Sequence, residues 1–196
     1  LVNLAGRQQV LIVTAGRVFG LAPEDGALLW SHTWDTSMGI NVSQPIVVDR
    51  NRFFISAGYG KGASLVEVTD AGSNKFTTRA LWENINLKTK FNSPVYHNGH
   101  VYGLDEGILS CVDVQTGERK WKGGRFGYGQ LLAAGGNLIV LTEAGELALV
   151  KADPSAYTEV AKFGAIEGKT WNVPAIAGGR LLVRNGAEMA CYSLTD

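Results

Sequence analysis

Apolar residues in this chain come in short runs, such as 10–13 and 138–141, and Gly, Asn or Asp cuts them off before they reach helix length. No stretch sustains apolar positions at i, i+3, i+4 and i+7, the mark of an amphipathic helix. The runs predict strands, and the residues between them are turn formers. One order recurs: a small or polar residue, a Pro or apolar residue opening a short strand, a Gly or Asn turn, a second apolar strand, a Gly-containing turn, a third strand, an Asp/Gly turn, and a fourth strand ending near Trp. The clearest copy opens at Asn92-Ser93-Pro94 and turns at His97-Asn98-Gly99. It continues as strands over 100–104, 108–114 and 118–122, with Thr116-Gly117 in the last turn, where Gly accepts the positive φ a tight hairpin requires.

Other copies align on this one. Ser43-Gln44-Pro45, Gly129-Gln130-Leu131 and Asn172-Val173-Pro174 open three of them, and the N-terminal copy begins in its first strand. Pro45, Pro94, Leu131 and Pro174 are spaced 49, 37 and 43 residues apart. Four short strands per period of this length predict an all-β fold, a β-propeller of four-stranded antiparallel blades. A two-sheet sandwich would explain short strands but not the repeat. The blades fall at about 1–34, 42–86, 91–125, 128–164 and 172–196, in one propeller region covering 1–196.

Cys111-Val112-Asp113-Val114-Gln115-Thr116-Gly117-Glu118-Arg119-Lys120-Trp121 resembles the Ala-x-Asp-x-x-Thr-Gly-x-x-x-Trp docking motif of the PQQ-like (quinoprotein alcohol dehydrogenase-like) propeller repeat family, with Cys in place of Ala. The segment from Gly20 to Trp30 keeps Gly26 and Trp30 but puts Ala22 where Asp is usual. The resemblance implies that Trp30, Trp82 and Trp121, with Asp113 and Gly117, are structural residues packing neighbouring blades together. Segments 69–78 and 153–157 read as insertions, with Trp82 and Phe163 taking the Trp role in those blades. The resemblance also implies a periplasmic or secreted location. Its non-enzymatic, BamB-like branch includes the periplasmic lipoprotein of the bacterial outer-membrane β-barrel assembly machinery, a protein-binding scaffold without PQQ. The enzymatic branch holds PQQ over calcium against a vicinal Cys-Cys ring, with an Asp base; this chain has no adjacent cysteines, so neither PQQ nor calcium is supported and no catalytic residue is assigned.

Register carries further expectations. Cys111 and Cys191 fall at matching places on third strands of blades two apart, too far for a disulfide, and are expected reduced and buried. The last copy stops after its third strand, which gives about four and three-quarter blades. That count fits the C-terminal part of a seven- or eight-bladed ring, its other blades supplied upstream or by another copy, because open sheet edges invite association.

Composition changes the picture only by exclusion. Eighteen basic residues balance eighteen acidic ones, without a basic run, so a nucleic-acid partner is not expected. No apolar run approaches the roughly 20 residues of a membrane-spanning helix. Among candidate chemistries, His97-x-x-His100 straddles a turn without a third ligand, and no metal is assigned. His32 reads as a surface or interblade residue. Asp105-Glu106-Gly107 is too short for a calcium loop and reads as a solvated turn. Gly58-Tyr59-Gly60-Lys61-Gly62 is similar to a phosphate loop but lacks the Lys-Ser/Thr ending and a following helix.

The loops joining fourth to first strands (34–41, 86–90, 123–129, 164–171) and second to third strands (57–62, 105–107, 143–145, 185–187) gather on one face in a propeller. There Val42, Phe91, Tyr128 and Trp171 share one level, and Ser43, Asn92, Gly129 and Asn172 the next. Phe91, Asn92, Arg125, Tyr128, Lys169, Trp171, Asn172 and Arg184 are the candidate ligand-binding residues of this channel face. Two readings of the aromatics stand, a plug closing the channel or a grip on a protein, peptide or sugar. A protein partner is the expected one.

Overall fold

The computed structural model describes residues 1–73 and 75–194, so Asn74, Thr195 and Asp196, which belong to the expected insertion and the expected fifth blade, lie outside the described residues. Among the described residues five meander sheets follow one another, each with its strands hydrogen-bonded in sequence order. The first comprises β1 (Val2–Leu4), β2 (Arg7–Val13), β3 (Arg17–Leu21) and β4 (Leu28–Thr33); the second, β5 (Ile46–Val47), β6 (Arg52–Ala57), β7 (Gly62–Asp70) and β8 (Phe76–Asn84). The third holds β9 (Val95–His97), β10 (His100–Asp105), β11 (Ile108–Asp113) and β12 (Arg119–Arg125), and the fourth β13 (Gln130–Ala134), β14 (Asn137–Leu141), β15 (Glu146–Lys151) and β16 (Glu159–Gly164). The fifth has three strands, β17 (Ala175–Ala177), β18 (Arg180–Arg184) and β19 (Met189–Ser193). All pairings are antiparallel, and no helix occurs among the described residues. The chain is an all-β propeller arc.

Among the described residues four hydrophobic cores hold the arc together, and each is shared by two consecutive blades. Val18 and Trp30 meet Phe53 and Val66; Phe54 and Leu65 meet Val101 and Val112; Tyr102 and Cys111 meet Leu138 and Val140; Ile139 and Leu147 meet Leu181 and Val183. Successive residues of one strand thus serve opposite cores, Phe53 one and Phe54 the next, because strand side chains alternate between faces. This is why β6, β10 and β14 carry apolar residues at consecutive positions rather than at alternate ones. With a sheet on either side, both faces need apolar residues. In the first blade, Ile12 instead points away from the neighbouring blade and is exposed.

The third blade's turns follow their sequence. Asn98 (φ 46°) and Gly99 (φ 79°) take the paired left-handed conformations of a tight hairpin. Asp113 Oδ1 accepts the backbone N–H groups of Gln115 and Thr116, and Gly117 N–H returns to the Asp113 carbonyl at 2.9 Å.

Segment 69–78 lengthens the β7–β8 hairpin, Thr69 pairing with Thr77 and Asp70 with Phe76, so the expected insertion takes strand form. Two expectations need correction. Cys191 is exposed while Cys111 is buried, because β19 belongs to the last blade described and Cys191 faces no neighbouring core. Phe163 does not occupy the tryptophan position. In the first three blades the third–fourth strand pairing has a bulge just after the residue facing Trp, with Trp30 opposite Gly20, Trp82 opposite Leu65 and Trp121 opposite Cys111. The fourth blade keeps this bulge after Leu149, and the residue opposite Leu149 is Ala161.

The two thiols should therefore separate chemically. Burial pushes the Cys111 thiol up to about 12. A disulfide reagent at pH 8 should label Cys191 within minutes and leave Cys111 untouched until denaturant is added. Two fast-reacting thiols in the native protein would contradict this placement.

Candidate functional site

The loops joining fourth to first strands and those joining second to third strands lie together, as hydrogen bonds between them show. Ser56 Oγ donates to the Leu87 carbonyl at 2.8 Å, Thr170 N–H donates to the Glu143 carbonyl at 2.9 Å, and Lys88 N–H donates to Asp105 Oδ1 at 3.0 Å. Strand openings are tied around the arc at the same level. Ser43 Oγ donates to the Asn92 carbonyl at 2.5 Å, and Gln130 Nε2 donates to the Phe91 carbonyl at 2.7 Å. These bonds between neighbouring blades fix the loops as one surface.

On it, Phe91, Tyr128 and Trp171 come together. Phe91 meets the Tyr128 ring edge-on at 5.1 Å and stacks on Trp171 at 5.5 Å. Lys169 Nζ lies 3.9 Å from the Trp171 ring centre, a cation–π distance. Sequence reasoning missed three participants. Lys90 Nζ stands among Tyr59, Tyr128 and Phe91, at 4.8, 5.0 and 5.4 Å from their ring centres. Glu143 orients the cluster, accepting Trp171 Nε1–H at 3.0 Å and Tyr128 N–H at 3.1 Å. All three lie in loops already placed on this face, so the signal was loop membership rather than residue type.

The other candidates sit differently. Asn92 is buried, and its amide is spent on Leu104, accepting that residue's N–H at 3.3 Å and donating to its carbonyl at 3.4 Å. Arg125 and Lys169 both border an open depression of about 700 Å³ that also includes Phe126 and Glu143. Asn172 and Arg184 take no part in the ring contacts among the described residues.

Asp105 overturns the solvated-turn reading. It is fully buried, the only carboxylate so placed among the described residues. Lys122 Nζ lies at 2.5 Å, Lys88 Nζ at 2.9 Å and an Arg119 guanidinium nitrogen at 3.3 Å from its oxygens. Burial alone would raise this carboxyl, but the hydrogen bonds from Lys122 and Lys88 outweigh it and hold it below its ordinary value. The hub pins the 86–90 loop to β10 and β12 beneath the aromatic surface. Arg119 reinforces it by donating from Nε and Nη2 to the Asn86 carbonyl at 3.0 and 2.7 Å.

The histidines have structural partners. His32 Nδ1 meets Thr78 Oγ1 of the next blade at 3.1 Å, and burial lowers its pKa. His97 and His100 face each other across the hairpin, and each contacts Asn98. No three His, Cys, Asp or Glu side chains converge as a metal cluster among the described residues.

The docking residues of the repeat bridge blades. Trp82 Nε1–H donates to the Val114 carbonyl at 3.0 Å and Trp121 Nε1–H to the Asp153 carbonyl at 2.8 Å, both in the third-to-fourth strand hairpin of the following blade. Trp30 stacks on Phe53 at 5.5 Å and donates to Gln9 Oε1 at 2.6 Å.

Comparison with known proteins agrees with this architecture. The crystal structure of BamB from Moraxella catarrhalis superimposes with a TM-score of 0.68 at 14% identity, over 94% of this chain and 55% of that one. A functionally unknown protein from Desulfotomaculum acetoxidans gives a TM-score of 0.63 at 12% identity, over 91% of this chain and 61% of that one. The chain thus spans less than two thirds of the length of either solved structure, and at these identities the likeness shows the fold alone. No curated protein sequence matches it significantly. The family model described as outer membrane protein assembly factor BamB matches residues 1–123, well over half the chain, and the chain therefore belongs to that BamB-like family of PQQ-type propeller repeats.

Proposed function

We propose that this chain is a non-catalytic propeller scaffold of the bacterial envelope that offers its channel-side loops to a protein partner engaged in outer-membrane protein assembly. One observation carries the reading. Met38, Val42, Ile85, Trp171 and Val173 are all exposed, and all lie in or beside the segments joining one blade to the next on this face. Apolar groups gathered in this way beside charged side chains fit a protein contact better than open solvent. Trp171, Phe91 and Tyr128 are the aromatic anchors, and Lys90, Lys169 and Arg125 supply charge around them.

The cofactor reading has little to stand on. Cys111 and Cys191 lie on separate blades, and the buried carboxylate of Asp105 is saturated by three cations. A PQQ ring above calcium would find neither vicinal sulfur nor a free oxygen there.

The test is retention of solubilised envelope proteins on the immobilised, intact protein, with its Trp171→Ala variant alongside. Truncating a central aromatic anchor costs about 2 kcal/mol, roughly a 30-fold loss of affinity. Trp171 is 45% exposed, so the fold should survive the change. An intact protein that retains no outer-membrane assembly component would refute the reading, and undiminished binding by the variant would refute the site. Selective retention of a glycan would favour the sugar-binding alternative.

A further inference from the structure

The bulge that places Trp30, Trp82 and Trp121 puts Ala161 at the same position in the fourth blade, and the space between the fourth and fifth blades differs accordingly. An apolar groove of about 180 Å³ lies there, bounded by Ala161, Leu147, Leu149, Phe163, Leu181 and Leu194. Phe163 does not fill it. Its ring is turned edge-on to Tyr192 at 5.4 Å, and Phe163 remains 49% exposed.

The groove also has a counterpart of the residue that accepts the Trp82 indole. Trp82 donates to the Val114 carbonyl, and Val114 is fixed by its N–H bond to the Gly99 carbonyl. Leu194 holds the corresponding place in the fifth blade, its N–H bonded to the Gly179 carbonyl at 2.8 Å. Leu194 borders the groove, so the counterpart of the residue that accepts the Trp82 indole lines it; Trp121 uses Asp153 of the following blade and Trp30 uses Gln9 of its own. Apolar cavities lined by Leu, Ile and Phe tend to stay dry and accept aromatic rings. An acyl chain would use the walls but not the carbonyl.

We propose that the groove between the fourth and fifth blades is a binding slot for an indole ring, delivered as a tryptophan side chain by a partner polypeptide. The ring would take the place that the chain's own tryptophans take in the preceding blades. This site lies apart from the aromatic surface around Trp171, and neither proposal depends on the other.

The test titrates the whole protein with N-acetyl-tryptophanamide, N-acetyl-leucinamide and free indole, following methyl NMR signals of Leu149, Leu181 and Leu194. The expected result is saturable shifts of these methyls with the tryptophan amide and at least roughly tenfold weaker response to the leucine amide. Ala161→Trp, which supplies the ring from within, should abolish the titration and raise the melting temperature. Ala161→Met, a smaller plug, provides the same readout should the larger change disturb folding. Shifts that miss the groove methyls, equal response to leucine amide, or full binding by both variants would each overturn the proposal. Binding of free indole without binding of the tryptophan amide would overturn the polypeptide source.

Discussion

Replacing Asp105 by Asn should lower the stability of the protein by about 3 kcal/mol, the range seen when one partner of a buried ionic group is removed. The cause is the three cations left behind. Lys88, Lys122 and Arg119 would face one another with no anion between them, and Lys88 has only 16% of its side chain exposed. By contrast, Glu67 pairs with an Arg79 side chain that is 72% exposed, and its removal should change stability by less than about 1 kcal/mol. Urea denaturation of the two variants measures the difference directly. The hub also gives the wild type a pH signature. The Asp105 carboxyl lies below its ordinary value in the folded state, so the unfolded chain binds its proton first on acidification. Its contribution is complete above the ordinary carboxylate value of about 4 and is lost as pH falls through the folded value. Asp105→Asn should therefore flatten the acid limb of the stability curve, and an unchanged limb would show that the hub contributes nothing.

Gly117→Ala should be nearly as damaging, and Gly26→Ala should not. Both glycines hold the same turn position with almost the same backbone, φ +72° and +73°. Any Cβ pays about 1 kcal/mol for that conformation. At Gly26 the added methyl meets nothing within 4 Å. At Gly117 it would stand 2.8 Å from the Trp82 ring and 2.4 Å from the Asn84 amide nitrogen. Asn84 and Asn86 also donate to the Gly117 carbonyl, at 3.0 and 2.8 Å. Displacing these groups adds about 2 kcal/mol, the ordinary penalty of overpacking. Expected losses are thus about 3 kcal/mol at Gly117 and about 1 at Gly26. Combining Gly117→Ala with Trp82→Ala should cost clearly less than the sum, because removing the indole removes the collision. Strict additivity would mean that the two residues do not press on each other.

Much of this architecture is legible in the sequence, for identifiable reasons. A repeat presents the same strand and turn solution five times, so the ambiguities of one copy are resolved by the others. Asp113, Gly117 and Trp121 could be assigned because their bonds and contacts are local or recur at a fixed offset. The ring formed by Phe91, Tyr128 and Trp171 followed from reading strand openings in register. What escaped depended on contacts between distant positions. Asp105 looks like an ordinary turn residue until Lys88, Arg119 and Lys122 arrive from 14 to 17 positions away on other elements. Lys90 sits among aromatics from three blades. The fourth blade's tryptophan position was misread because the 153–157 segment disturbs the count, and the nearest aromatic, Phe163, lies two residues beyond the bulge that fixes Ala161.

The four cores are linked in series, each bounded by the two blades that share it, while the exposed apolar loops lie on the channel side of that stack. A substitution at Met38, Val42 or Val173 leaves the indole slots and their carbonyls untouched. Recognition and cohesion are therefore separable residue by residue: the exposed apolar tips of the face can change while the bonds and cores beneath them keep each blade gripping the next.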